Sequence, residues 1–176
     1  MHDALTLIDC ADAHLPDITR IYGDAVRTGT ASFELEPPSL AEMTERRAAL
    51  QAGGYPYLVA LQAGRVAGYA YASAYRARPA YYATVENSVY VDPACQGRGI
   101  GLALLQALVA RCERGPWRQM VAVIGDSANL ASQRLHSAAG FSLVGTLRSV
   151  GFKHGRWLDT VLMQRPLGEG DRTPRG

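Results

Sequence analysis

Lysine is almost missing from this chain: Lys153 is the only one among its 18 basic residues. A skew in coding composition explains that without any appeal to function. Cysteine is sparse too. Cys10, Cys95 and Cys112 are odd in number and show no C-x-x-C spacing, so they suggest neither a disulfide framework nor a thiolate zinc site, and they read as reduced structural thiols. No stretch approaches the ~18 consecutive apolar residues of a bilayer-spanning helix. The N-terminal "MHDALTLIDCADAHLP" also lacks a basic segment followed by a long apolar one, so the expectation is a cytoplasmic protein without a membrane partner. The net charge of +2, with no dense run of Lys and Arg, gives no footprint for nucleic acid or for an anionic membrane surface.

What is present describes one globular domain. With 48% apolar and 19% charged residues over 176 positions, the chain can bury roughly two-thirds of its unfolded surface around a single core. "ALTLID" alternates as a strand, and Asp12 is expected to cap a helix from about Ala13 to Val26, ended by Gly29. Ser39 and Glu42 have capping-box spacing at the start of a second helix, which runs to about Gln51 and stops at Gly53-Gly54. "YLVALQ" and "RVAGYAYASAY" flank Ala63-Gly64 as a hairpin, and "TVENSVYVD" is a further strand. An apolar helix from about Gly101 to Arg114, the short strand "MVAVIG" and the helix "NLASQRLHSAAG" follow. The last two strands enclose a turn at Lys153–Gly155, where Lys153 and His154 are expected as turn and subunit-contact residues. The order β-α-α-β-β-β-α-β-α-β-β predicts an α/β (α+β) domain over residues 1–167, a mixed, mostly antiparallel sheet of about six to seven strands flanked by about four helices. Residues 168–176, polar and rich in Gly and Pro, are expected to be a disordered tail.

One short stretch points to chemistry. In "QGRGIG", Gln96–Gly101, glycines recur where a strand becomes a helix. A helix N-terminus offers unpaired N–H groups and the positive end of its dipole, and glycine lets anionic oxygens reach them. There is no G-K-[ST] of a P-loop, and the preceding strand lies too late in the chain and is too polar to open a dinucleotide-binding unit.

Read as Gln-x-x-Gly-x-Gly, the same residues resemble the pyrophosphate loop of the GNAT superfamily of N-acetyltransferases. "YRARPAYYATVENSVYVDPACQGRGIG", "VAVIGDSANLASQRLHSAAGF" and "LRSVGFKHGRWLD" are similar to its phosphinothricin N-acetyltransferase branch, which also acetylates methionine sulfoximine and methionine sulfone. The likeness runs from about Thr6 to Pro166. The segment G-F-K-H-G-x-W-x-D, Gly151 to Asp159, is its most specific motif.

The resemblance implies acetyl-CoA as cosubstrate, no metal, a small-molecule amine as acceptor, and a homodimer. It implies that Glu86 is the general base, directly or through water; the bare alternative is a strand carboxylate facing solvent. His136 matches a histidine discussed as a catalytic partner, and it reads equally as a helix-face histidine satisfied by its neighbours. Tyr90 either protonates the departing thiolate or simply packs. For the cofactor, the resemblance implies backbone contacts from Val89, Tyr90 and Val91 to the acetyl and pantetheine groups. Gln96, Gly97, Arg98, Gly99, Ile100 and Gly101 would hold the pyrophosphate, although Arg98 reads equally as a solvated loop residue. Asn129 meets the pantetheine arm, caps the next helix, or does both. For the acceptor it implies Phe33, Tyr75, Arg76, Arg78, Tyr81 and Glu86, against a surface Arg-rich loop and apolar filling at Phe33. The alternatives are the same chemistry on a protein N-terminus, a polyamine or an aminoglycoside, and a non-catalytic acyl-CoA-binding module.

Overall fold

A computed structural model of the chain describes residues 4–174. Its strands are β1 (Thr6–Asp9), β2 (Tyr57–Gln62), β3 (Arg65–Ala74), β4 (Thr84–Val91), β5 (Gln119–Gly125), β6 (Ser142–Lys153) and β7 (Arg156–Pro166). The helices are α1 (Leu15–Thr28), α2 (Leu40–Ala52), α3 (Ile100–Glu113) and α4 (Leu130–Ala138). All seven strands form one sheet in the order β1-β2-β3-β4-β5-β7-β6. Its neighbours are antiparallel except β4 and β5, which run parallel. Element order and sheet class agree with the expectation from sequence.

Each face of the sheet has its own core. Leu15, Ile18, Tyr22 and Val26 lie three or four residues apart on α1 and are buried, so one stripe of the helix packs on Val59, Val66 and Tyr69. On the other face α3 buries Leu104, Leu105, Leu108 and Cys112 against Ala70, Val85 and Met120. Small residues on the sheet let that helix sit close.

Ser39 Oγ accepts the Glu42 N–H at 3.2 Å while Glu42 Oε2 accepts the Ser39 N–H at 2.6 Å, so the expected capping box satisfies two donors that the first turn of α2 leaves open. Asp12 does not cap α1. A short 3₁₀ turn, Asp12–His14, precedes the helix, His14 Nδ1 accepts the Ala11 N–H at 3.0 Å, and the Asp12 carboxylate pairs with Arg47 instead. Pro16, fitted to the first helical turn, starts α1 two residues later than expected.

Lys153 is a second correction: it ends β6 paired with Arg156 and is buried, and the turn itself is His154-Gly155, both at positive φ. Beyond β7 the chain turns back: the Gly170 N–H donates to Leu167 O at 3.0 Å, and Arg118 donates to Gly170 O at 3.3 Å.

Candidate functional site

The site begins where two strands part. β4 pairs with β3 from Val85 to Val91, but with β5 only at Thr84–Glu86 against Gln119–Val121. β5 continues to Gly125 bonded to β7 on its far side. Backbone groups of Asn87–Val91 and Ala122–Gly125 that face each other across this opening therefore lack a strand partner. An extended chain carrying amides can be received there as an added strand. Glu86 stands at the vertex, the last β4 residue in register with β5.

A cavity of ≈ 480 Å³ fills the vertex, walled by Glu86–Tyr90 of β4, Val123–Gly125 of β5, Asn129, Ser132 and His136 around α4, and Ala31–Glu34 of the loop after α1. A second hollow of ≈ 300 Å³ shares Ala31, Val89, Tyr90 and Asn129 with it and continues past Val91 to Gln96. The path thus runs from Glu86 to the glycine turn.

That turn is built as a backbone cradle. Gly97 has φ 73° and Gly99, the residue before α3, φ 77°. A left-handed backbone disfavours any side chain there by about 1–2 kcal/mol. A Cβ at either position would meet nothing within 4 Å, so conformation and not crowding selects glycine. No side chain caps the first N–H groups of α3, leaving them available to an anion. Gly101 is different: a Cβ there would lie 2.6 Å from Leu135 Cδ1, so it allows α3 to approach α4. Ile100 is buried in the core, and only its backbone faces the turn. The Arg98 guanidinium donates to Ala94 O at 3.1 Å and to Gln62 at 3.4 Å, where it lines a separate depression with Arg20 and Arg65.

Chemistry concentrates at the vertex. The Glu86 carboxylate forms no hydrogen bond or ion pair among the described residues; burial pushes its carboxyl above the usual range and the Arg76 charge partly offsets that. A desolvated, unpaired carboxylate is suited to taking a proton. Burial also raises the Tyr90 phenol well above its usual value; its ring stands edge-on to Tyr22 at 5.1 Å and stacks on Tyr69 at 5.5 Å.

His136 is fully engaged. Its Nδ1 lies 2.8 Å from Ser132 O, and since a carbonyl only accepts, Nδ1 carries the proton. Nε2 then accepts from Asn87 Nδ2 at 2.9 Å. Burial lowers its pKa and keeps the ring neutral. Asn129 Oδ1 accepts the Ser132 N–H at 3.1 Å, so this residue caps α4 while lining both hollows.

Of the acceptor candidates, Phe33 and Glu86 line the cavity. Tyr75, Arg76, Arg78 and Tyr81 do not; they lie on the β3–β4 connection, with Tyr75 edge-on to Tyr81 at 5.6 Å and Arg76 over the Tyr75 ring at 5.1 Å. Arg78 immediately precedes the 3₁₀ turn Pro79–Tyr81. Arg76 alone of these four acts on the site, through its charge on Glu86. Sequence reasoning missed Tyr22, Ser32 and Glu34, which form one network: Tyr22 Oη meets Ser32 Oγ and Glu34 Oε1, each at 2.9 Å, and Arg46 donates to Glu34 at 2.6 Å. No local pattern announces such residues, because the network joins α1, the loop and α2. Asn87 was also missed, although its place beside Glu86 was a usable signal; its Oδ1 is buried without a partner. Among the described residues no three His, Cys, Asp or Glu side chains gather as metal ligands, and no helix is long and apolar enough to cross a membrane.

Residues 18–141 match the Acetyltransferase (GNAT) family. The phosphinothricin N-acetyltransferase of Alcaligenes faecalis is 56% identical over 170 residues, covering 97% of this chain and 86% of that protein. The L-methionine sulfoximine/L-methionine sulfone acetyltransferase of Pseudomonas paraeruginosa is 43% identical over 160 residues, covering 90% and 92%. A crystal structure of a GNAT superfamily phosphinothricin acetyltransferase from Sinorhizobium meliloti in complex with AcCoA superposes with a TM-score of 0.95 at 52% identity, covering 98% of this chain and 93% of that one. With an open strand edge, a carboxylate at its vertex and a glycine turn at its far end, this chain belongs to the GNAT family of acetyltransferases.

Proposed function

We propose that this protein transfers the acetyl group of acetyl-CoA to the α-amine of a small amino-acid analogue of the phosphinothricin, methionine sulfoximine or methionine sulfone type. The observation that carries this reading is the parting of β4 from β5 at Glu86, continuous with the path to the glycine turn. Unpaired strand amides suit the two amides of a pantetheine arm, and the bare turn suits a pyrophosphate, so the residues fit the cosubstrate.

Acetyl-CoA, when bound, supplies the activated acyl group. Glu86 then takes the proton that the acceptor ammonium must lose before it can attack. The Val89 amide, with the backbone of Tyr90 and Val91, lies along the open edge, where an N–H can meet charge growing on a carbonyl oxygen. Tyr90, held protonated by burial, is the donor for the leaving thiolate. His136 holds Asn87 rather than a proton in flight, because both ring nitrogens are already committed. Gln96 to Gly101 grip the diphosphate and Asn129 the arm. Phe33 walls the acceptor end, and Arg76, whose charge reaches Glu86, lends positive charge toward an anionic acceptor, while Tyr75, Arg78 and Tyr81 stand outside the cavity on the β3–β4 connection.

The same reading includes a homodimer working in the cytoplasm. β6 is the outer strand of the sheet and exposes Leu143, Val144, Leu147, Val150 and Phe152, with Trp157 of β7 65% exposed beside them. An unpaired edge with so large an apolar patch favours association with a second copy. Replacing Val144 and Trp157 by Glu is expected to convert a dimer to a monomer by light scattering; a wild-type monomer at micromolar concentration counts against the dimer.

Thiol release from acetyl-CoA, measured against these three compounds, ordinary amino acids, polyamines and a peptide, tests the assignment. Release is expected with the tetrahedral analogues. Turnover confined to polyamines or peptide, or none with tight cofactor binding, contradicts it.

A further inference from the structure

The most specific motif of the sequence, Gly151–Asp159, takes no part in the steps above. It lies on the hairpin of β6 and β7, and Lys153 within it is unusual. This side chain is 4% exposed, makes no ion pair among the described residues, and donates from Nζ to Ser32 O at 2.8 Å. Burying an ammonium against a single carbonyl is costly, so what the bond holds matters.

It holds the loop after α1. His154 Nε2 donates to Gly29 O at 3.2 Å. Thr30 Oγ1 donates to Asp126 Oδ2 at 3.0 Å, and Arg156 donates to that same oxygen at 2.7 Å. The Phe33 ring is pressed between two bare backbones: a Cβ on Gly151 would fall 2.3 Å from Phe33 Cε2, and one on Gly125 would fall 2.9 Å from Phe33 Cε1. Hairpin and β5 together clamp residues 29–33, and the clamped segment Ala31–Glu34 is one wall of the cavity. Ser32, whose carbonyl Lys153 grips, also bonds Tyr22 through its hydroxyl.

We propose that Lys153 is a positioning residue for the amine acceptor: by holding Ser32 O, with Gly151 leaving room for the Phe33 ring, it sets the shape of the acceptor end of the cavity. The inference rests on the reading of that cavity as the acceptor site. Ser32 and Phe33 line the cavity at Glu86 and not the hollow that leads to the glycine turn, so cofactor binding is spared.

Lys153→Met keeps the length of the side chain and removes the ammonium, leaving Ser32 O without its partner. Steady-state kinetics with phosphinothricin are expected to give an acceptor KM raised about tenfold, with the KM of acetyl-CoA and kcat each within about twofold. A merely structural role moves all three or none. Because the chain has three phenylalanines, fluorophenylalanine labelling yields three resonances, and that of Phe33 alone is expected to shift or broaden in the variant. Gly151→Ala, which crowds the Phe33 ring directly, is expected to produce the same KM split, and it decides the matter if Lys153→Met does not fold. The two increases are expected to be less than additive. An unmoved Phe33 resonance, or equal rises in both KM values, overturns the proposal. A wild-type enzyme without thiol release from any amine overturns instead the acetyltransferase reading beneath it.

Discussion

Replacing Glu86 by Gln is expected to lower kcat by about 10²- to 10⁴-fold, the contribution of a positioned general base, while the dissociation constant of acetyl-CoA stays within about twofold. The side chain keeps its volume and loses its basicity, and the strand edge that receives the cofactor is main chain. The pH dependence sharpens the test. Burial raises the Glu86 pKa and Arg76 restrains the rise, so the carboxylate, the active form, is lost as pH falls through a value above the ordinary carboxylate range. Activity should therefore fall on the acid side, and the fall should vanish in Glu86→Gln. Arg76→Ala removes the restraint, raises the pKa further and moves the acid limb to higher pH. Turnover unchanged in Glu86→Gln removes the residue from the mechanism.

Gly99→Val is expected to raise the KM of acetyl-CoA tenfold or more with the acceptor KM unchanged. A branched side chain at φ 77° is a severe misfit, costing more than the about 1–2 kcal/mol that αL costs an ordinary residue, and about 1.4 kcal/mol is already tenfold in affinity. The chain relieves that strain by moving the turn and its N–H groups. Gly101→Ala provides the contrast. Its Cβ meets Leu135, so the expected loss is in thermal stability more than in cofactor affinity, and calorimetry beside a binding titration separates the two.

The element order and the glycine turn were legible because each rests on local rules: alternation for the strands, capping spacing at Ser39 and Glu42, and glycine where a strand enters a helix. Glu86, Asn129 and Phe33 were legible only inside longer motifs, and the fold brings all three to one cavity. What stayed hidden is non-local. Asp12 had the right residue type for a cap, but Arg47 of α2 claims its carboxylate. Lys153 looked like a turn residue because it stands where the last two strands meet, just before His154-Gly155. Only the packing of the loop after α1 against the final hairpin turns it inward, across a separation no sequence window spans. The network of Tyr22, Ser32, Glu34 and Arg46 was invisible for the same reason.

The central claim is that the opening between β4 and β5 takes the arm of acetyl-CoA and points the acyl group toward Glu86. A crystal structure of this protein with a non-hydrolysable acetyl-CoA analogue and phosphinothricin tests it most directly. The account predicts the diphosphate on the main chain of residues 97–101, the arm paired with β4 along Val89–Val91, and the amine between the acyl carbon and the Glu86 carboxylate. An arm lying outside the opening, or an amine remote from Glu86, contradicts it.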